Sequence, residues 1–476
     1  MSNPTTRRFF LGATTALAAT RVWGANDKVN VAIVGIGGRG TNHLNIYSRL
    51  PEARVAGLCD VNQPARERAQ ATLLRNTSEK AKEFVDMRDA FADSGIDAVS
   101  IATPNHWHAL ATIWAMKAGK DVYCEKPACY NIHEGQRMLQ VANETRKMVQ
   151  IGSQHRSTPF KIKGMQALQD GIIGKVYLAK GLCFKRRKSI GVQPDEPTPP
   201  GLNWDLFLGP APMRPYNLHR FAYNWHWYWD TGNGDIGNQG VHEIGICRWA
   251  LGDPEWPKAA VAMGGKYAND DDTETPNTLL ASYDYGGREI IFEVRGNITG
   301  GEGNRSRGGP GGGRGGRGGP GGPGGAPNNA PPPPSPAQEQ AAVAAVTPMP
   351  APANIMIGNL FYGSEGWMAM SDAGYQVYKG DSSELAEEVR PERNPGGGDA
   401  TSLHMQNFLA ACKSRNVKEL HDPISNAWLS ASMCHLANIS YRVGRRLEIT
   451  PGPDFGKDTE ANKMRTRPVY RKPYEV

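Results

Sequence analysis

The chain has 476 residues, 39% hydrophobic and 21% charged, which is globular composition with length enough for two domains. Its formal net charge of +7 is no argument for a nucleic-acid or membrane partner. Much of the excess is local, with Arg305, Arg307, Arg314 and Arg317 in one Gly-rich stretch and Arg7 and Arg8 near the N-terminus. Seven cysteines, an odd number without metal-ligand spacing, argue against a metal site and a disulfide framework and read as buried thiols.

Thr6-Arg7-Arg8-Phe9-Phe10-Leu11 precedes a short, mild apolar stretch, Gly12 to Ala19. A twin arginine before a weak apolar region is the address read by the Tat export machinery. Residues 1–25 are therefore expected to be a signal segment and the protein to be periplasmic or otherwise exported. The stretch is too short to cross a bilayer of about 30 Å, so no stable membrane insertion is expected.

From Lys28 the pattern alternates. Val29 to Val34 is a short apolar run rich in β-branched residues and reads as a buried strand, followed by a Gly-rich turn and a helix through Leu50. Val55 to Asp60, Ala98 to Ala102 and Asp121 to Cys124 read as further strands, with helices over Pro64–Leu74 and Trp107–Ala118 between them. Strands separated by helices of this length predict βαβ units and a parallel sheet over residues 26–150. Beyond residue 150 longer strands dominate, at Lys175–Phe184, Ala259–Gly264, Leu279–Tyr285 and Glu289–Asn297, with a late helix over Ile424–Val443. This predicts a second, α+β domain on an open, mostly antiparallel sheet, built from 151–299 and 354–450, and then a tail, 451–476. Residues 300–353 are Gly- and Pro-rich, cannot bury enough apolar surface to offset their ordering entropy, and are expected to form a disordered loop between two strands. Their Arg-Gly-Gly runs lack interleaved aromatics, so no nucleic-acid partner is expected.

Gly35-Ile36-Gly37-Gly38-Arg39-Gly40 matches G-x-G-x-x-G where the motif needs to be, after an apolar strand and opening a helix. Gly35 permits the tight turn, Gly37 lets backbone approach a pyrophosphate, and Gly40 allows close helix–strand packing. Asp60 ends the second strand about twenty residues on, where a carboxylate accepts hydrogen bonds from a ribose and repels a 2′-phosphate. NAD is therefore favoured as cofactor, with Arg39 and Arg66 keeping NADP possible.

Thr103-Pro104-Asn105-His106-Trp107-His108 and Glu125-Lys126-Pro127 follow successive strands, at the carboxyl edge where open α/β sheets bind ligands. A buried Lys126 can lower its pKa and polarise a hydroxyl or carbonyl near pH 7. Hydride transfer from an alcohol also needs a base for the hydroxyl proton. His242, in the run Asp235-Ile236-Gly237-Asn238-Gln239-Gly240-Val241-His242, is the best-suited titrating group, with Asp235 able to orient it or bind a hydroxyl. Upstream, Phe221, Tyr223, Trp225, Trp227, Tyr228 and Trp229 offer aromatic faces suited either to the C–H faces of a sugar or to a core.

The set Gly35–Gly40, Thr103-Pro104-Asn105 with His108, Glu125-Lys126-Pro127 and Asp235 to His242 resembles the Gfo/Idh/MocA oxidoreductases, over essentially residues 28–450 apart from the Gly/Pro-rich insert. The resemblance implies a Rossmann domain, a C-terminal α/β domain whose open sheet often makes homo-oligomer contacts, and NAD(P)-linked chemistry on sugars, inositols and related compounds. By position it implies that Lys126 is the active-site lysine and His242 the acid/base histidine. Gly38, Arg39, Asp60, Asn105, His108, Glu125 and Gln154 then fall at the cofactor and Arg156 near the nicotinamide end. Arg156, Trp227, Asn238 and His242 are the residues expected to bind the substrate. Inositol-dehydrogenase-like members carry Asp four residues before the histidine, where this chain has Asn238. Asn cannot take a proton, so an Asp–His relay must use Asp235 or be absent.

The leading expectation is an exported sugar or polyol oxidoreductase that holds its nucleotide tightly. Two alternatives remain. One is an NAD-assisted glycosidase or lyase of the kind found in glycoside hydrolase family 109, whose members lack the lysine of E-K-P. The other is a non-catalytic sugar-binding protein.

Overall fold

A computed structural model describes residues 27–302, 355–381, 384–391, 399–450 and 454–476. The Tat-type segment and nearly all of the stretch expected to be disordered lie outside the described residues.

The first half alternates β1 (Val29–Val34), α1 (Gly38–Tyr47), β2 (Ala53–Cys59), α2 (Gln63–Thr77), β3 (Lys82–Phe84), α3 (Met87–Ala92), β4 (Ala98–Ile101), α4 (Asn105–Lys117), β5 (Asp121–Cys124), α5 (Ile132–Thr145) and β6 (Val149–Ile151). Its strands form a parallel sheet in the order β3-β2-β1-β4-β5-β6. Five of the six residues of β1 are buried, as a parallel strand covered on both faces requires. Strand order reverses between β1 and β4, which opens a crevice at their carboxyl ends. β3 and β6 are only three residues each, too short to leave a periodic signal, and neither is legible in the sequence.

The second half places α6 (Pro159–Gln169), β7 (Val176–Cys183), α7 (Trp204–Leu208), α8 (Leu218–Phe221), α9 (Val241–Ala250), β8 (Ala259–Gly265), β9 (Thr278–Asp284), β10 (Glu289–Arg295), β11 (Ile357–Gly363), β12 (Gly366–Ser371), β13 (Gly374–Lys379), β14 (Glu384–Val389) and β15 (Leu447–Glu448). The nine strands form one sheet, β14-β13-β12-β11-β7-β10-β9-β8-β15, antiparallel except where β10 runs parallel to β7. β10 and β11, which flank the Gly/Pro-rich stretch, do not pair with each other but lie on either side of β7. One face of the sheet is covered by α9 and the helix Ile424–Val443, which also packs against α5 and so joins the two halves.

Two later segments return to the first half. Helix Ala400–Ser414 sends Met405, Phe408 and Leu409 into the core formed by Val29, Leu44 and Tyr47, with Phe408 edge-on to Tyr123 at 5.8 Å. Residues 454–476 dock as well: Tyr474 wedges against Trp107 and Trp114 of α4, and Tyr470 donates its hydroxyl to Glu134 at 3.0 Å. Almost every residue of α4 is buried as a result, in keeping with a sequence apolar all round.

Candidate active site

The turn after β1 has the geometry a dinucleotide phosphate needs. Gly35 adopts φ +82°, and a Cβ there would meet the Ala102 backbone at 2.9 Å; one at Gly40 would lie 1.8 Å from the Gly35 carbonyl oxygen. Both positions therefore require glycine. Gly37 and Gly38 are different: a Cβ on either has nothing within 4 Å. That open space lies at the N-terminus of α1, where unpaired N–H groups and the helix dipole favour an anion.

Asp60 closes the other side of the turn. Its carboxylate accepts from the Ile36 N–H at 2.6 Å and from the Asn62 N–H at 2.8 Å. Arg66 donates to the Asp60 backbone carbonyl at 2.6 Å, and Arg39 is committed to Glu125 at 2.6 Å and Asn42 at 3.0 Å. Of the two arginines that kept NADP open in the sequence, Arg39 is thus drawn to Glu125, while Arg66 stays beside Asp60.

Glu125 is the buried anion of the site, gathering Arg39 Nε at 2.6 Å and His43 Nε2 at 3.0 Å. Burial pushes its carboxyl up, but the Arg39 guanidinium and His43 overcome this and hold it well below the usual carboxylate range. Beside it, burial brings Lys126 down to about 8, against the opposing pull of Glu125. His108 sets its ring nitrogens on the carbonyls of Pro127, 2.7 Å, and Thr103, 2.8 Å, and so braces the Glu125–Pro127 loop against the Thr103 loop. Asn105 donates to Asn233 of the second half at 3.1 Å.

The second half contributes its residues through a single π-turn, Ile236–Gly240, at the start of α9. Such turns re-aim side chains and recur at functional sites. Here the π-turn brings Asn238 to Lys126, whose Nζ donates to the Asn238 backbone carbonyl at 2.8 Å and to its side-chain oxygen at 3.1 Å. The Asn238 amide donates onward to the Tyr223 hydroxyl at 2.9 Å. At the second position of α9, His242 is buried, its Nδ1 has no hydrogen-bond partner, and His155 stands edge-on to it at 5.0 Å. Burial and the nearby His155 and Lys126 lower His242 well below the ordinary histidine value, so its imidazole is neutral near pH 7.

Three residues stand apart from the roles expected of them. Asp235 is held by Arg187 through two oxygens, at 2.5 and 2.9 Å, so its carboxylate serves an ion pair rather than an Asp–His relay. Trp227 lies under the same guanidinium at 4.8 Å and is buried, making it a floor to that pair rather than an open sugar face. Arg156 pairs with Asp253 at 2.6 and 2.9 Å, lies 3.6 Å from Asp422 and stacks on Trp249 at 5.0 Å. It ties three segments together instead of reaching into the cleft. Its neighbour His155 faces His242.

Thr103 Oγ1 and Gln154 Oε1 are, like His242 Nδ1, buried without a partner. Unsatisfied buried polar atoms are costly and call for an account. Unpaired atoms from three segments, a phosphate-sized opening at Gly37–Gly38 and the Asp60 carboxylate together fit a dinucleotide laid across the carboxyl edge of the parallel sheet. Among the described residues no cluster could hold a metal ion.

Comparison with known proteins agrees. Residues 29–153 match the Gfo/Idh/MocA oxidoreductase family model for an NAD-binding Rossmann fold, and residues 176–303 match that family's C-terminal alpha/beta domain. The chain belongs to the Gfo/Idh/MocA oxidoreductase family. An inositol 2-dehydrogenase of Rubrobacter xylanophilus is 30% identical over 160 residues, 33% of this chain and 44% of that protein. A glycosyl hydrolase family 109 protein of Shewanella putrefaciens is 25% identical over 154 residues, 32% of this chain and 34% of that protein. The chain thus aligns with less than half the length of these curated relatives. Levoglucosan dehydrogenase, solved with NADH and L-sorbose, shares the fold with a TM-score of 0.62 at 16% identity, over 89% of this chain and 99% of that one. Aldose-aldose oxidoreductase of Caulobacter crescentus does so with a TM-score of 0.58 at 16% identity, over 89% and 100%.

Within this Gfo/Idh/MocA framework, sequence reasoning missed His155, Arg187 and the part played by Tyr223. His155 lies between Gln154 and Arg156, both singled out. Arg187 belongs to the basic run Lys185–Lys188 immediately after β7, an unusual charge density at a strand end that was the available signal. Tyr223 is half-exposed, unlike the buried Trp227 and Tyr228 of the same run.

Proposed function

We propose that this protein is an NAD-dependent oxidoreductase that moves hydride to or from the hydroxyl-bearing carbon of a sugar or polyol. The observation that carries the reading is the contact of Lys126, at the end of β5, with Asn238 of the π-turn, beside His242 and at the mouth of the glycine-rich loop. When bound, the nicotinamide ring supplies the hydride acceptor or donor. Gly37, Gly38 and Asp60 would hold the phosphate and ribose, and Thr103, Asn105, Glu125 and Gln154 would line the way to the ring.

With Lys126 brought down to about 8, its ammonium and amine are both accessible near neutrality, the match an acid–base group needs. In oxidation, Lys126 takes the hydroxyl proton as the carbon gives up hydride, leaving a carbonyl; in reduction it returns the proton to the carbonyl oxygen. Neutral His242 accepts a hydrogen bond from a neighbouring hydroxyl of the substrate and so fixes the direction of the reacting one. Tyr223 offers an exposed aromatic face beside Asn238. The similarity to inositol 2-dehydrogenases and the fold shared with levoglucosan dehydrogenase support a polyhydroxylated substrate.

The twin-arginine segment supports export with the nucleotide already bound, and the exposed Met263 and Leu280 of the second sheet support a homo-oligomer. Cell fractionation and light scattering test these two points. The similarity to glycosyl hydrolase family 109 proteins favours a second reading, in which a ring hydroxyl is oxidised, the aglycone eliminated and the product reduced again. Incubation with glycosides separates the two: net nicotinamide reduction supports the dehydrogenase, and aglycone release without it supports the second reading.

A further inference from the structure

His242 has neither the carboxylate orienter of an Asp–His pair nor any partner at Nδ1: position 238 is Asn, engaged with Lys126, and Asp235 is engaged with Arg187. What faces it is His155, ring centroids 5.0 Å apart and planes at 89°. Behind His155 is Lys161 of α6, a buried ammonium that the proposed chemistry does not use. Its Nζ lies 2.6 Å from His155 Nδ1 and 2.6 Å from Asp372, in the turn between β12 and β13. The chain His242–His155–Lys161–Asp372 therefore runs from the cleft to a carboxylate whose side chain is 80% exposed.

We infer that Lys161 and Asp372 are a positioning pair that holds His155 in its neutral, Nε2-protonated form and through it keeps His242 an uncharged hydrogen-bond acceptor. An ammonium carries donors only, so the Nδ1 it meets is the unprotonated nitrogen, and the remaining imidazole proton is on Nε2. Protonating His155 would set a second positive charge at hydrogen-bond distance from the first. Asp372 gives the buried ammonium its counter-charge without itself entering the cleft.

Burial and the surrounding cations act in the same direction, against Asp372 at His155 and Glu125 at His242. His155 is faced by Lys161, Asp372, His404 and Lys126, and burial followed by Lys161 lowers it. His242 is faced by His155, Lys126, Glu125 and Arg39. Glu243, adjacent in α9, also feels Lys161, but burial pushes it up to about 8, so it is largely neutral near pH 7 and does not substitute for Asp372.

The inference rests on His242 serving the substrate, but its test needs no turnover. The full-length protein, labelled with 15N in its imidazoles, is titrated by NMR, with His155→Gln and His242→Gln assigning the two rings. Both rings are expected to stay neutral from about pH 5.5 to 8, with the His155 proton on Nε2. Lys161→Gln keeps a donor to Nδ1 but drops the charge, and is expected to raise the proton affinity of His155 at least tenfold; Lys161→Arg is expected to leave it unprotonated. A folded Lys161→Gln variant in which His155 titrates no higher than in the wild type overturns the proposal. So does a wild-type His155 carrying its proton on Nδ1, which decides the matter even if the variant does not fold. The expected titrations in a protein that turns over no sugar or polyol would leave the positioning pair standing and the dehydrogenase reading in error.

Discussion

The Lys126 ammonium sits on both oxygens of Asn238, 2.8 Å from the backbone carbonyl and 3.1 Å from the side-chain amide oxygen. This contact joins the end of a parallel strand in one sheet to a π-turn over the other, and it fixes the ammonium without neutralising it. A neutral acceptor leaves Lys126 near 8; a carboxylate in its place would form an ion pair.

Asn238→Asp therefore raises the Lys126 pKa. For oxidation, which needs the amine, the rising limb of the kcat profile moves up from about 8 by roughly one unit and activity at neutral pH falls about tenfold. For reduction, which needs the ammonium, the falling limb moves the same way and the active range widens. The pH dependence of kcat in both directions checks this. An unmoved profile would mean that Lys126 is not the titrating group.

The glycine loop separates folding from nucleotide binding. Gly40→Ala drives a methyl into the Gly35 carbonyl and is expected to cost about 3 kcal/mol or more of stability. Gly37→Ala meets no protein atom, so its melting temperature without nucleotide should stay close to wild type while NAD affinity falls at least tenfold. Thermal denaturation and fluorescence titration of the two variants distinguish these effects.

Much of the first half and of the site was legible because each feature has a local cause. β1, β5 and the helix Ile424–Val443 are long or apolar enough to declare themselves, and their bounds coincide with the sequence reading. Gly35, Asp60 and Lys126 stand at strand ends, and Gly40 in the first turn of the helix that follows, where chain geometry alone places them. The rest was hidden because it depends on pairing distant segments. Helix Ala400–Ser414 enters a core begun some 370 residues earlier, in order-of-magnitude terms a separation that no local pattern spans. Asp235 looked like a partner for His242 because they are seven residues apart in one turn-and-helix unit; Arg187, from the segment after β7, takes it instead. Arg156 and His155 are neighbours in a 3₁₀ turn whose opposite faces meet different partners, so sequence proximity named the wrong one for the cleft.

Glu125→Gln leaves Arg39 and His43 facing a neutral amide in a buried site. A loss of about 3 kcal/mol is expected from breaking such a pair. The folded carboxyl is held below its unfolded value, so its contribution is present above about pH 4.3 and is lost as pH falls through the depressed folded value. Urea unfolding of wild type and variant should converge at strongly acidic pH and diverge above it.

Arg156→Met tests the reassignment of that residue. Removing the guanidinium leaves the buried Asp422 without its cation and Asp253 with only Arg248 at 3.9 Å, and about 3 kcal/mol of stability should be lost. KM for the sugar or polyol should stay within a factor of about two, because Arg156 does not reach the cleft. A large rise in KM with unchanged stability would return it to the substrate site.

The most direct test of the central claim is to incubate the purified protein and NAD with a panel of sugars, polyols and glycosides, following reduced nicotinamide and identifying products by mass spectrometry. The account predicts reduced nicotinamide formed one for one with a keto product, and its loss in Lys126→Met. Aglycone release with no net nicotinamide reduction, or a panel-wide absence of reduction in protein shown to bind NAD, would contradict it.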